Sequence, residues 1–147
     1  QATDTHAVQE RENPTDLLAV RTAAAQAMKM AGVTPSDVSV AELHDAFTIL
    51  EIVESEEVGF FKKGEGHKAL ERGDTKLGGK IPVNTSGGLK GKGHPVGATG
   101  IGQAHEIVMQ LRGEAKKRQV KDARIGFTCN FGGFGNNVVC LTFVRED

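Results

Sequence analysis

The stretch from Asn84 to Gly100 constrains this chain more than any other, because six of its seventeen residues are glycine. It reads Asn-Thr-Ser-Gly-Gly-Leu-Lys-Gly-Lys-Gly-His-Pro-Val-Gly-Ala-Thr-Gly. Glycine reaches positive φ without a steric penalty and lets backbone approach a ligand closely, so the segment reads as tight turns around a site. Pro95 fixes its own φ and biases His94 away from the helical region. Ala98 to Leu111 then reads as a helix, with Ile101, Ala104, Ile107, Val108 and Leu111 on its buried face. His94 is thus held on a stiff corner before a helix N-terminus, where free N–H groups and the helix dipole favour negative charge. A Walker-type phosphate loop does not fit, because Lys92 is followed by Gly93 and not by Ser or Thr.

The rest of the chain alternates helices and strands. Asn13-Pro14 reads as a helix start with Asn13 or Thr15 as cap, and the Thr15–Met30 helix carries a face of small apolar residues and stops at Gly32. Val38 to His44 reads as a strand and Thr48 to Val58 as a helix with Glu51, Glu54 and Glu57 facing water. Gly59 to Lys80 reads as a surface excursion with one short helix, His67 to Glu71. Ala123 to Cys129 reads as a strand, Asn130 to Asn136 as a tight loop, and Asn137 to Val144 as a last strand. The apolar run Val138, Val139, Leu141 and Phe143 suits a central, well-buried position. Strands joined by so short a loop are antiparallel neighbours, and the alternation before them implies an α/β fold with a mixed sheet.

Composition narrows the function. The 147 residues suit one domain, and a net charge of -1 leaves no basic footprint for nucleic acid. Trp and Tyr are absent, which argues against base stacking. No apolar run approaches a membrane span. The two cysteines, Cys129 and Cys140, lead us to expect a reducing, cytoplasmic setting. The His and Cys residues lack zinc spacing, so no metal is expected.

Three groups sit at comparable places: His44 at a strand end, His94 before a helix, and Cys129 at a strand end before a glycine turn. Together they offer a base, a thiol and two turns rich in N–H donors, a set suited to chemistry at a carbonyl. In an open α/β sheet such positions can meet along one edge, so all three are expected in one pocket. Cys140, mid-strand, reads as core.

These residues resemble the C-terminal half of a thiolase, in the branch of the sterol-carrier-protein type and the archaeal acetyl-CoA acetyltransferases. The thiolase pattern Gly-His-Pro-x-Gly-Ala-[Ser/Thr]-Gly is matched from Gly93 to Gly100, and the preceding Asn-x-x-Gly-Gly run at Asn84, Gly87 and Gly88. The branch's His-Asp-x-Phe is His44-Asp45-Ala46-Phe47, with Ala46 where some relatives carry Cys. Cys-x-Gly-Gly-Gly-x-Gly is met by Cys129-Asn130-Phe131-Gly132-Gly133-Phe134-Gly135, with Phe131 in place of the first glycine.

The resemblance implies that the complete enzyme makes or cleaves 3-oxoacyl-CoA, with coenzyme A thioester as substrate and no separate cofactor. It implies that His94 activates a nucleophilic cysteine, Cys129 moves the α-proton, and His44 orients a water or the thioester oxygen. Phe131 and Gly132 would supply oxyanion N–H groups; Asn84, Gly87, Gly88, Gly93 and Phe47 would shape the substrate site. The nucleophile belongs to an N-terminal thiolase half, so the chain alone is expected to be inactive and to need that half, in a homo-oligomer or with further subunits of an acyl-CoA complex. The first strand of a C-terminal half is missing on this reading, because the chain opens at or just after it. Two alternatives stand beside it: a non-catalytic thiolase-like scaffolding subunit, and a thiolase-fold aldolase acting on a steroid side-chain acyl-CoA.

Overall fold

Small side chains let the first helix lie close on the sheet. The computed structural model describes residues 1–146, and Asp147 lies outside them. Helix α1, Leu18–Ala31, buries Ala19, Val20, Ala23, Ala24 and Met28. It ends at Gly32, whose φ of 68° is the left-handed stop that glycine adopts freely. Its start differs from expectation. Asn13 Oδ1 accepts the Thr15 N–H at 3.1 Å and the Thr15 hydroxyl at 2.9 Å, closing a turn of its own, and the helix begins later with Leu17 at the cap position.

Four strands form one mixed sheet: β1 (Ala2–Thr3), β2 (Val40–Glu42), β3 (Ile125–Gly132) and β4 (Asn137–Val144), in the order β1-β4-β3-β2. β3 and β4 are the expected antiparallel pair, while β2 runs parallel to β3. The opening residues, polar and without period, supply β1, which pairs antiparallel with the start of β4. Pro82 to Asn84 extends the far edge, where Val83 bridges Ala41 in parallel and the Asn84 N–H reaches the Ala41 carbonyl at 2.8 Å.

Helix α1 covers one face of the sheet together with α2 (Thr48–Glu57), and α5 (Thr99–Leu111) covers the other against β2 and β3. Phe127, Cys129, Phe131, Val138 and Cys140 point into the α1 side, with Phe60 edge-on to Phe127 at 6.0 Å. Val40, Ile107, Leu111, Val120 and Ala123 form the second cluster beneath α5. α5 meets β4 only marginally, where Phe143 packs on its cluster, so the expectation of a well-buried last strand holds on one face only: Val139 is 41% exposed and Leu141 45%.

Three further faces differ from the sequence reading. Of the acidic run expected in water, Glu54 and Glu57 are buried, because Glu57 pairs with Arg21 at 2.9 Å and with Lys63, and Glu54 lies under the sheet's end. Glu51 is half-buried against Asn84. α5 is rotated from its expected face: Ile101 is 74% exposed, while Gln103, Glu106 and Gln110 point inward. Polar atoms are wanted there. Gln103 Nε2 donates to the Cys129 carbonyl at 3.0 Å, and Gln110 both donates to the Arg118 carbonyl at 2.7 Å and accepts from the Val120 N–H at 2.8 Å. In the excursion from Gly59 to Lys80, Phe60, Phe61 and Ala69 are core, and α3 spans Gly66–Arg72.

Gly126 seats α5 on the sheet. A Cβ at that position would fall 2.2 Å from Ile107 Cγ2, so only glycine allows the helix to approach β3 this closely. Gly126→Ala should destabilise the fold by about 1–3 kcal/mol through overpacking, read from urea unfolding. Ile107→Ala removes the opposing methyl, so the double variant should cost clearly less than the sum of the two single changes. Additive costs would show that the helix is not seated on this glycine.

Candidate active site

Because β2 and β3 run parallel, their C-terminal ends open on the same edge of the sheet, where open α/β sheets hold ligands. His44 follows β2 and lies beside Asn130 of β3, with His44 Nδ1 and Asn130 Oδ1 2.7 Å apart. His94 comes to the same edge from the corner before α5. The two imidazoles meet edge to face with centroids 4.8 Å apart, and Phe131 packs on His44 at 4.4 Å.

The glycine stretch reaches this edge through a short helix that its sequence does not announce. α4, Gly88–Lys92, takes Asp45 as its cap, with the Leu89 N–H on Asp45 Oδ1 at 2.6 Å. Gly88 has φ 60°, and a Cβ there would fall 2.2 Å from Asp45 Oδ2, so this position requires glycine on both counts. Asn84, at φ 53°, accepts the Leu43 N–H at 2.8 Å and donates to Glu51 at 2.8 Å. These bonds tie the loop to the end of β2.

The His94 ring is oriented by its own corner. The Thr99 hydroxyl donates to the Pro95 carbonyl at 3.2 Å, so Thr99 Oγ1 accepts from His94 Nδ1 at 2.7 Å. Neutral His94 therefore carries its proton on Nδ1 and keeps Nε2 free. Both rings open on a cleft of about 710 Å³, whose wall includes Phe47, Leu50, Lys90, Asn130 and Val139. Phe47 and Phe134 stack across 5.6 Å beside it. Burial lowers the His44 pKa, reinforced by the neighbouring His94 and opposed by the Asn130 hydrogen bond and Asp45, so His44 favours the neutral form.

Of the residues expected at the site, His44, His94, Phe47, Phe131 and Gly132 line the cleft. Asn84, Gly87 and Gly88 stand behind it as support, and Gly93, at φ 92°, turns the chain into His94. The expected meeting of three groups holds for two. Cys129 is 0% exposed and faces the α1 side, beside Cys140 and Glu54. The reason is strand alternation: successive side chains of β3 point to opposite faces, so Asn130, and not Cys129, turns toward the histidines. Read one residue later, the motif puts Asn130 where the thiolase pattern has cysteine and Gly132 on its first glycine. Contact with Cys140, burial and Glu54 raise the Cys129 thiol well above its ordinary pKa, which keeps it protonated.

Glu54 is the other residue the sequence did not single out. It is 0% exposed, accepts the His44 N–H at 2.9 Å through Oε2, and has the Cys129 thiol as its other polar neighbour, with no well-formed hydrogen bond to Oε1. Burial raises its pKa well above the carboxylate range, so the group favours the neutral acid. Among the described residues no cluster of His, Cys, Asp and Glu is arranged to hold a metal, and no helix is long and apolar enough to cross a membrane.

A mixed sheet whose parallel strand ends bring two histidines together, with a glycine-rich corner between them, is the architecture of a thiolase-like C-terminal half. Residues 1–145 match the family described as Thiolase C-terminal domain-like, and the chain belongs to that family. It is 52% identical over 145 residues to the acetyl-CoA acetyltransferase of Methanothermobacter thermautotrophicus, covering 99% of this chain and 38% of that protein. It is 46% identical over 119 residues to sterol carrier protein 2 of Homo sapiens, covering 81% of this chain and 22% of that one. Among solved structures it aligns with the Ltp2-ChsH2(DUF35) aldolase at a TM-score of 0.83 and 26% identity, over 94% of this chain and 35% of the other. The chain thus spans 38% or less of each of these relatives.

The buried Glu54 makes stability depend on pH with a definite sign. A carboxyl whose folded pKa is raised favours folding fully below its unfolded pKa, and that contribution is lost as pH rises toward the folded pKa. Glu54→Gln keeps an acceptor for the His44 N–H and cannot ionise. Relative to Glu54→Gln, the wild type should therefore be most stable in acid and lose ground steadily toward alkaline pH, measured as unfolding free energy. Parallel curves for the two proteins would contradict a buried neutral Glu54.

Proposed function

We propose that this chain is the C-terminal part of the catalytic unit of a thiolase-family acyltransferase that makes or cleaves 3-oxoacyl-CoA by Claisen chemistry. The observation that carries this reading is the pair of imidazoles sharing one cleft, with His94 Nε2 free to take a proton. Family membership and the likeness to an acetyl-CoA acetyltransferase support it. In this reading His94 accepts the proton of a thiol that attacks the thioester carbonyl, and its protonated ring then hydrogen-bonds the developing oxyanion. That thiol comes from an N-terminal half, since Cys129 lies behind the cleft wall. The open apolar side chains Ile101, Val139 and Leu141 support a partner covering the α5 side of the sheet. Phe47 and Phe134 offer aromatic surface to the pantetheine arm or acyl group of the substrate.

A second reading is favoured by one feature of the cleft: where the thiolase pattern expects an acid–base thiol, the cleft presents the amide side chain of Asn130. Retro-aldol cleavage of a 3-hydroxyacyl-CoA needs a base and an oxyanion site but no thiol nucleophile, and the structural likeness to an aldolase is consistent with that chemistry.

The full-length protein tests both readings. His94→Ala should reduce thiolysis of acetoacetyl-CoA by about 10²–10⁴-fold, the usual contribution of a general acid–base group. Cys129→Ala should keep turnover near that of the wild type and lower thermal stability instead. Loss of turnover in Cys129→Ala at unchanged stability would return the α-proton step to that thiol. Release of a carbonyl compound from a 3-hydroxyacyl-CoA, without thiolysis, would establish the aldolase reading.

A further inference from the structure

We propose that Asn130 is a positioning residue that holds His44 as the Nδ1-protonated tautomer and so presents a bare His44 Nε2 as a second base beside His94. This rests on the carbonyl chemistry proposed above. The expected thiol base, Cys129, is turned away from the cleft by strand alternation, and the side chain that replaces it there is an amide. An amide does not exchange protons at ordinary pH. It can decide which nitrogen of a neighbouring imidazole carries one.

The contact supports that role on three sides. Asn130 Oδ1 lies 2.7 Å from His44 Nδ1, and a carbonyl oxygen only accepts, so the hydrogen between them belongs to Nδ1. The amide nitrogen turns the other way, into space that exists because position 100 is glycine: a Cβ there would fall 2.9 Å from Asn130 Nδ2. The His44 backbone is tied by Glu54 at 2.9 Å, and its ring is backed by Phe131 at 4.4 Å. His44 is buried, at 4% exposure, but its ring lines the cleft and its Nε2 makes no hydrogen bond among the described residues, which leaves that nitrogen available on the cleft side.

Thr99 puts His94 in the same state, so two imidazoles stand 4.8 Å apart, each with Nδ1–H turned back and Nε2 forward. Such a pair suits removal of an α-proton from a thioester. The C–H bond breaks and its proton goes to His44 Nε2. The electron pair stays with the substrate as an enolate, whose oxygen accepts a hydrogen bond from His94 Nε2 once that nitrogen carries the proton taken from the attacking thiol. The groups that face His44 are Asp45 next to it, Glu54 from α2, His94 from the corner before α5, and Lys90 from α4 at the cleft wall. Burial and the neighbouring His94 keep His44 neutral, as a base must be.

The test is made on the full-length protein labelled with ¹⁵N-histidine, because imidazole ¹⁵N shifts separate a protonated nitrogen from a bare one. Neutral His44 in the wild type should show Nδ1–H and a bare Nε2. Asn130→Asp keeps the acceptor and adds a negative charge, so the His44 pKa should rise by about one unit or more. The acid limb of the kcat/KM–pH profile should move to higher pH with it. Asn130→Ala should lower kcat at least tenfold with little change in KM, and Asn130→Asp should recover part of that loss at high pH. A wild-type His44 protonated on Nε2, or a His44 titration unmoved by Asn130→Asp, overturns the proposal. Both spectroscopic readouts need no substrate. A correct tautomer in a protein that turns over neither class of thioester would instead overturn the functional reading.

Discussion

Everything at the candidate site depends on the parallel pairing of β2 with β3, in the register that sets Glu42 opposite Thr128. That register brings the residues just past β2 alongside the last residues of β3, so His44 meets Asn130 although 86 positions separate them. A slip of one residue would exchange the faces of β3 and bring Cys129 to the cleft in place of Asn130. Register is held from both sides. Phe127 and Val138 bury into the α1 layer, and Gly126 accepts Ile107 of α5. The chemistry of the cleft is therefore set by the packing of two helices that contribute few side chains to its wall.

Around that frame the molecule uses buried polar groups where an apolar core would have been simpler. Asp45 caps α4, Asn84 joins the glycine loop to β2, Gln110 serves the loop after α5, and Glu54 holds the His44 backbone. Each satisfies backbone groups that a loop would otherwise bury unpaired, a loss of roughly 1–3 kcal/mol apiece. Glu54 Oε1 and Gln103 Oε1, which make no well-formed hydrogen bond, mark where that satisfaction is incomplete, and both residues contact the His44–Cys129 end of the sheet. Positioning of the histidine edge is thus bought with some loss of stability.

The local alphabet of the chain was legible from one dimension. Glycine at 32 ended a helix, the four-residue turn after Gly132 paired β3 with β4, and His94-Pro95 made a corner. Those features depend on φ/ψ limits and short-range hydrogen bonds, which act between neighbours. Helix faces were less legible. The acidic run of α2 suggested the wrong buried side, and the aliphatic stripe of α5 was right at Ile107 and Leu111 but not at Ile101, because Glu57 finds Arg21 and Lys63, and Gln110 finds loop backbone, only after distant segments have assembled. Hydrophobic periodicity carries no record of such partners.

The motifs of the sequence determined the family, the mixed α/β class and the approach of His44 and His94, since glycine turns and strand ends impose those placements wherever the chain goes. Tertiary structure alone decided which of two adjacent residues, Cys129 or Asn130, faces the cleft. The two differ by one step of a strand, and one step reverses the direction of a side chain. A motif read as letters tolerates an offset of one, whereas a β-strand packed between two helices does not.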